Sequence, residues 1–179
     1  MLNVTRATLR SDLAILTMTG ILDARPKVGY FYSGINKLNL VGDDIKNKKV
    51  EEIMSIPVIA KKDDSLYEVI VNMFLSDVGS IFIIDEEESL CGIVSRKDLL
   101  KATIGGADMN KMPIGMIMTR TPNIITVEKE ESVIIVAKKI IEHEIDSIPV
   151  VENIDGKTRV VGKISKTNIT RLFLEIVDN

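Results

Sequence analysis

The sequence predicts a mixed α/β body built from two copies of one β-α-β-β-α unit, preceded by a short basic head. Three observations predict it. The stretch GIVSRKDLL at 92–100 returns as GKISKTNIT at 162–170. Each return sits in the same order of apolar runs, helix caps and turns. Charge is divided along the chain: residues 1–37 carry Arg6, Arg10, Arg25, Lys27 and Lys37 against Asp12 and Asp23, a net +3 that leaves −6 for the rest of a chain totalling −3.

The repeat runs through most of the body. Ile53-Met54 matches Ile117-Met118 at an offset of 64, Pro57 matches Pro122 at 65, Ser80-Ile81 matches Ser147-Ile148 at 67, and Gly92 matches Gly162 at 70. The offset grows only between elements, as expected of packed elements that keep their length while loops accept insertions.

Each element follows in order. After the Pro comes a short apolar piece, VIA in one copy and NIIT in the other. A helix then begins near Ser65-x-x-Glu68, a capping box, and near Ser132 in the second copy. Residues 66–76 and 133–143 space their apolar side chains for one buried helical face. Two strands follow, SIFIID and CGIV, then SIPVVE and RVVGKIS, joined by a charged turn or by Asp155-Gly156. A last helix starts at Ser95 or Ser165 and runs to about Thr103 or Ile176. One such unit of about sixty residues is marginal alone, so burial of an apolar face against its twin is expected.

Composition narrows the chemistry. At 179 residues and 45% hydrophobic, the chain has the material for a core. No run of eighteen apolar residues exists and the N-terminus is too polar for a signal peptide, so a soluble cytoplasmic protein is expected. One cysteine, Cys91, makes no internal disulfide, and the single His143 has no nearby Cys to build a zinc site. Cys91 reads as a buried structural thiol and His143 as a helix-end residue. The methionines around the linker (Met109, Met112, Met116, Met118) read as packing material. The acidic turn 85–88 reads as a solvated hairpin loop. No nucleophile–base pair, phosphate-loop motif or metal-ligand spacing is present, so no catalytic residue, metal or cofactor is expected.

The Met-x-x-x-Pro opening, the strand with its charged turn, and Gly-h-h-Ser-x-x-Asp closing into a helix resemble a tandem pair of CBS domains, a Bateman module. The resemblance implies two units about a pseudo-twofold axis, adenosine-containing ligands in the clefts between them, and dimerisation through the CBS modules. The head, NVTRATLRSDLAILTMTGIL followed by DARPKVGYFYSG, resembles the recognition helix and wing of a winged helix-turn-helix, with residues 5–19 helical and 28–32 in the wing. The whole arrangement is similar to CcpN-type bacterial transcriptional repressors. A complete winged helix has two more helices ahead of the recognition helix, so the head is read as a partial one. The expected boundaries are 1–34 for that element, 35–48 for a linker, 49–106 and 112–179 for the two CBS domains, and 107–111 between them.

A nucleotide needs an acceptor for its ribose hydroxyls, donors for its phosphates and a flat apolar slot for its base. In the family, the Asp of Ser-x-x-Asp accepts from ribose while the Ser and basic neighbours approach phosphate. The resemblance carries these roles to Ser95, Arg96, Lys97 and Asp98. It takes the base slot from the other copy, at Thr119, Thr121, Ile125, Ile145, Asp146 and Ser147, beside Ile93. Ser95-x-x-Asp98 is equally a helix cap with an acid at its third position, and both roles are compatible. The second cleft would use Ser165, Lys166 and Asn168 with Ser55, Ala60, Val78, Gly79 and Ser80. Asn168 departs from the pattern, replacing a carboxylate by an amide.

In the head, Thr5, Arg6, Thr8 and Arg10 fall where a recognition helix reaches DNA, and Arg25 and Lys27 where a wing touches phosphate. The other reading is a solvated amphipathic helix with Leu9, Leu13, Leu16 and Leu22 inward. The expected function is an adenine-nucleotide-sensing module (AMP, ADP or ATP) of a transcriptional repressor acting on operator DNA. The alternative is a free-standing sensor that acts on a protein partner.

Overall fold

A computed structural model of the chain describes residues 9–32 and 45–177. They form two units, divided between Ile45 and Lys46.

The first unit has a helix, α1 (Arg10–Met18), followed by an antiparallel pair, β1 (Leu22–Arg25) and β2 (Gly29–Tyr32), in register Leu22↔Tyr32. Leu9, Leu13, Leu16, Leu22 and Phe31 are half-buried, the apolar side of the helix meeting the hairpin. Lys27 at the hairpin tip takes φ 66° and Gly29 φ 103°, the left-handed values a tight strand-to-strand turn requires. Thr5, Arg6 and Thr8 lie outside the described residues.

The second unit contains both repeats. The first comprises α2 (Val50–Ile53), β3 (Ile59–Lys61), α3 (Leu66–Leu75), β4 (Ser80–Ile84), β5 (Leu90–Ser95) and α4 (Arg96–Ile104). The second comprises a 3₁₀ turn (Ile114–Met116), β6 (Thr119–Arg120), α5 (Val133–Glu142), β7 (Ser147–Ile154), β8 (Lys157–Ser165) and α6 (Lys166–Val177). Caps start the helices where the spacing predicts. Ser65 and Glu68 bond reciprocally, and Ser132 Oγ accepts from Ile134 N at 3.3 Å. Asp77 and Glu144 follow the C-caps of α3 and α5 with φ 45° and 52°.

One sheet runs β3-β4-β5-β6. Its fourth strand comes from the other repeat, Ile93 pairing with Thr119 and Gly92 with Arg120. The β7–β8 pair has the same flanks reduced to single bridges, Val127 beside Val150 and Ser55 beside Lys163. The NIIT piece is therefore not a strand. Only Val127, just after it, reaches β7.

The repeats exchange their opening turns. Val50 and Ile114 are equivalent, both wholly buried, and each lies in the other repeat's core: Val50 with Val136, Ile148 and Ile164, Ile114 with Leu66, Ile81 and Val94. Equivalent backbone bonds fix them. Val50 N donates to Glu131 O (3.0 Å) and Ile114 N to Asp64 O (2.8 Å); Val133 N donates to Lys48 O (3.0 Å) and Leu66 N to Met112 O (2.9 Å). A third cluster, Phe82, Leu90 and Val151 with Ile93, Ile124 and Val160, packs the two sheets against each other. Among the described residues no helix is long and apolar enough to cross a membrane.

Candidate functional site

The seam places the first residues of β4 and β7 side by side, with Ser80 and Ser147 as the buried polar side chains, beside the starts of α4 and α6. Two clefts open there. Gly79, Ser80, Arg96, Asp146 and Ser147 line both.

The first cleft has a volume of about 410 Å³. Its floor is the β5–α4 junction, where Ser95 ends the strand and caps the helix. Asp98 Oδ2 accepts from Ser95 N (2.9 Å) and Oγ (2.6 Å), and Ser95 Oγ accepts from Asp98 N (3.3 Å). Both bonds fall on one carboxylate oxygen. Oδ1 has no partner among the described residues, so it is available to a ligand hydroxyl. Ile93, Ile125 and Ile145 supply the apolar wall, joined by Ile124. Lys97 lines this cleft, exposed and without an ion-pair partner among the described residues. Arg96 is engaged: Nε donates to Val78 O (3.1 Å) and Nη2 meets Asp77 Oδ1 (3.3 Å).

The structure thus brings together Ile93, Ser95, Arg96, Lys97 and Asp98 with Thr119, Ile125, Ile145, Asp146 and Ser147. Thr121 is not with them. It lies just past the end of β6, exposed, with its N–H donating to Cys91 O (3.3 Å). Asn123, Ile124 and Glu144 line the cleft without having been singled out by the sequence. Ile124 precedes a named residue and Glu144 stands in the same turn as Ile145, so the flanking positions were the available signal.

The second cleft is larger, about 990 Å³. It collects Ser55, Val78, Gly79, Ser80, Ser165, Lys166 and Asn168. Ala60 does not join them. The pleat of β3 exposes Ile59 and Lys61 and turns Ala60 into the first core against Ile81 and Ile83. Asn168 is fully engaged: Oδ1 accepts from Ser165 N (3.0 Å) and Oγ (2.5 Å), while Nδ2 donates to Ile53 O (2.8 Å) and Ser55 Oγ (3.2 Å). The amide that was expected to accept from ribose instead ties α6 to the exchanged opening turn. Lys166 Nζ pairs with Asp146 Oδ1 at 2.7 Å. Lys163 and Arg171 line the cleft and were missed, although Lys163 is the repeat equivalent of Ile93 and was legible as such. Burial pushes the Lys163 ammonium below its usual pKa.

In the head, Arg10 opens α1 and is exposed, and Arg25 lies over the Phe31 ring at 4.9 Å. Cys91 is half-buried, its thiol donating to Ile83 O (3.4 Å), and burial first, then Asp85, push its pKa up, which disfavours thiolate. His143 is the C-cap of α5.

The comparisons with known proteins agree with this architecture. The CBS domain family model matches residues 50–105 and 114–175. Over 178 residues the chain is 46% identical to the transcriptional repressor CcpN of Bacillus subtilis (strain 168), covering 99% of this chain and 84% of the repressor. It is 36% identical over 125 residues to an L-aspartate semialdehyde sulfurtransferase of Methanocaldococcus jannaschii, covering 69% of this chain but 23% of that enzyme. Among solved structures, the CBS domain pair of protein MJ0100 in complex with 5′-methylthioadenosine and S-adenosyl-L-methionine matches with a TM-score of 0.62 at 34% identity, covering 72% of this chain and 97% of that one. Two matched segments, two equivalent sets of elements and one exchanged seam lead to one conclusion: the chain belongs to the CBS-domain family, as a tandem pair behind a short head.

Proposed function

We propose that this tandem CBS pair is the adenine-nucleotide-sensing module of a transcriptional repressor, with AMP, ADP or ATP held in the first cleft. The observation that carries the reading is Asp98. One oxygen completes the helix cap while the other has no partner among the described residues, in a cleft with an isoleucine wall and with Lys97, which has no ion-pair partner among them either. Ribose on the open oxygen, base on the wall and phosphate toward Lys97 use each group for the chemistry it has. The adenosyl ligands of the MJ0100 pair, 34% identical, support the ligand class. The similarity to a transcriptional repressor supports a regulatory role rather than catalysis.

The head supplies the DNA contact in this reading. It is the helix and wing of a winged helix-turn-helix, with Arg10, Arg25 and Lys27 on phosphate or base edges and Thr5, Arg6 and Thr8 preceding them. The module assembles as a homodimer through helices whose side chains stand exposed in one chain, among them Phe74 on α3, Ile104 on α4, Ile141 on α5 and Phe173 on α6. Ligand control of DNA affinity then requires that nucleotide favour one of two arrangements of the dimer.

Calorimetric titration of AMP, ADP and ATP into wild type and Asp98→Ala tests the reading. Wild type should bind at least one of them, and the variant should bind it about tenfold or more weakly, the loss of a hydrogen bond to a charged acceptor. Equal affinity in both proteins rejects the role of Asp98.

A further inference from the structure

The two clefts are equivalent by repetition but not in charge. Along β8, Gly162 and Ile164 are buried and Lys163 faces the other way, where its equivalent Ile93 forms the apolar wall of the first cleft. The equivalence is structural as well as sequential, since Ile93 pairs with Thr119 and Lys163 with Ser55. An ammonium thus stands where the first cleft offers an isoleucine. The carboxylate of the first cleft is also gone, because Asn168 spends its carbonyl oxygen on Ser165 and its amide hydrogens on Ile53 and Ser55.

Four cations line this cleft. Arg96 and Lys166 are held by Asp77 and Asp146. Lys163 and Arg171 have no carboxylate partner among the described residues, and Asp77 and Asp146 are the only acidic residues in the lining. A half-buried ammonium without a counter-charge is costly unless an anion comes to it.

We propose that the second cleft is an anion site, taking a phosphoryl or polyphosphoryl group on Lys163 and Arg171. Met54, Ile56, Val58 and Val78 still line it, but the isoleucine and the carboxylate of the first cleft are replaced at positions 163 and 168, and it has two cations without a carboxylate partner among the described residues, which is what a phosphate needs. The group has two sources. It is the polyphosphate tail of a nucleotide seated in the first cleft, passing over the shared wall of Ser80, Arg96 and Ser147, or it belongs to a separate phosphorylated metabolite.

The test is calorimetry on the full chain at low salt with three probes: inorganic triphosphate, adenosine and ATP. Triphosphate should saturate the wild type. Lys163→Met with Arg171→Gln should weaken it by about tenfold or more, Lys163→Arg should retain it, and adenosine affinity should stay within about twofold throughout. Thermal unfolding of each variant confirms that it folds. Competition between triphosphate and ATP, with ATP weakened in the double variant, assigns the group to the nucleotide's tail. Undiminished triphosphate binding to ATP-saturated protein assigns it to a second ligand, and both results support the site. Absence of saturable triphosphate binding, or binding unchanged in the double variant, overturns it. Failure of adenosine to bind counts against the reading of the first cleft alone.

Discussion

Met118 fills the space into which a side chain on Gly92 would grow: a β-carbon there falls 2.8 Å from Met118 Cγ, nearer still to Sδ, and 3.2 Å from Ile83 Cβ. Met54 repeats the relation over Gly162, with Sδ 2.6 Å from the corresponding position. Each methionine comes from one repeat and each glycine from the last strand of the other, so the pairs lock the exchange from both sides.

Gly92→Ala should therefore destabilise the protein by about 1–3 kcal/mol through overpacking, and Gly162→Ala by less, since its neighbours stand farther off. Urea unfolding measures both. Combining Gly92→Ala with Met118→Ala should cost less than the sum of the two; strict additivity would mean that the two residues do not oppose each other.

The exchanged turns predict the behaviour of fragments. A chain ending at Gly106 lacks Ile114 and Met118, which close the first core. It should show no cooperative thermal transition by circular dichroism, because the open core exposes Leu66, Ile81 and Val94. A sharp transition near the full-length midpoint would contradict the exchange.

Asn168 and Asp98 occupy equivalent positions but predict unequal mutational costs. Asn168→Asp removes both donors to Ile53 and Ser55 and sets a carboxylate against the Ile53 carbonyl, at a cost of about 1–3 kcal/mol. Asp98→Asn keeps an oxygen for Ser95 and should cost less. Chemical denaturation of the two variants compares them directly; equal losses would deny Asn168 its tethering role.

Acid stability should follow the α3 cap. Hydrogen bonds from Ser65 N–H first, then its hydroxyl, hold the Glu68 carboxyl below its ordinary pKa. A lowered folded-state pKa means a contribution complete above about pH 4.3 and lost as pH falls through the lowered value. The stability difference between wild type and Glu68→Gln should therefore shrink on acidification, read from thermal midpoints between about pH 6 and pH 2.5.

At the alkaline end Lys163 gives a slope of the same sign from a different cause. Burial lowers its folded-state pKa, so the unfolded chain holds the proton more tightly. Stability should rise as pH climbs from the lowered pKa toward the ordinary value of about 10.4, and Lys163→Met should abolish that rise. A variant with an unchanged alkaline limb would show that the ammonium is not desolvated.

The repeat was legible in the sequence because packed elements keep their length, so Ile53-Met54 and Gly92 could be aligned with their copies by eye. Periodicity also set the buried faces of α3 and α5. It says which face is buried, not against what, and so Val50 and Ile114 gave no sign of lying in each other's cores. The same limit explains the site. Asp98 and its isoleucine wall followed from the family resemblance of the Ser-x-x-Asp motif, whereas the inward turn of Ala60 depends on the pleat of a three-residue strand. The commitment of Asn168 depends on a partner 115 residues away in sequence.

With Val50 and Ile114 each threaded into the opposite half, the halves cannot swing apart like a clam without tearing two hydrophobic interiors at once. Movement of the halves against each other is thereby limited to a small sliding of the interleaved layers.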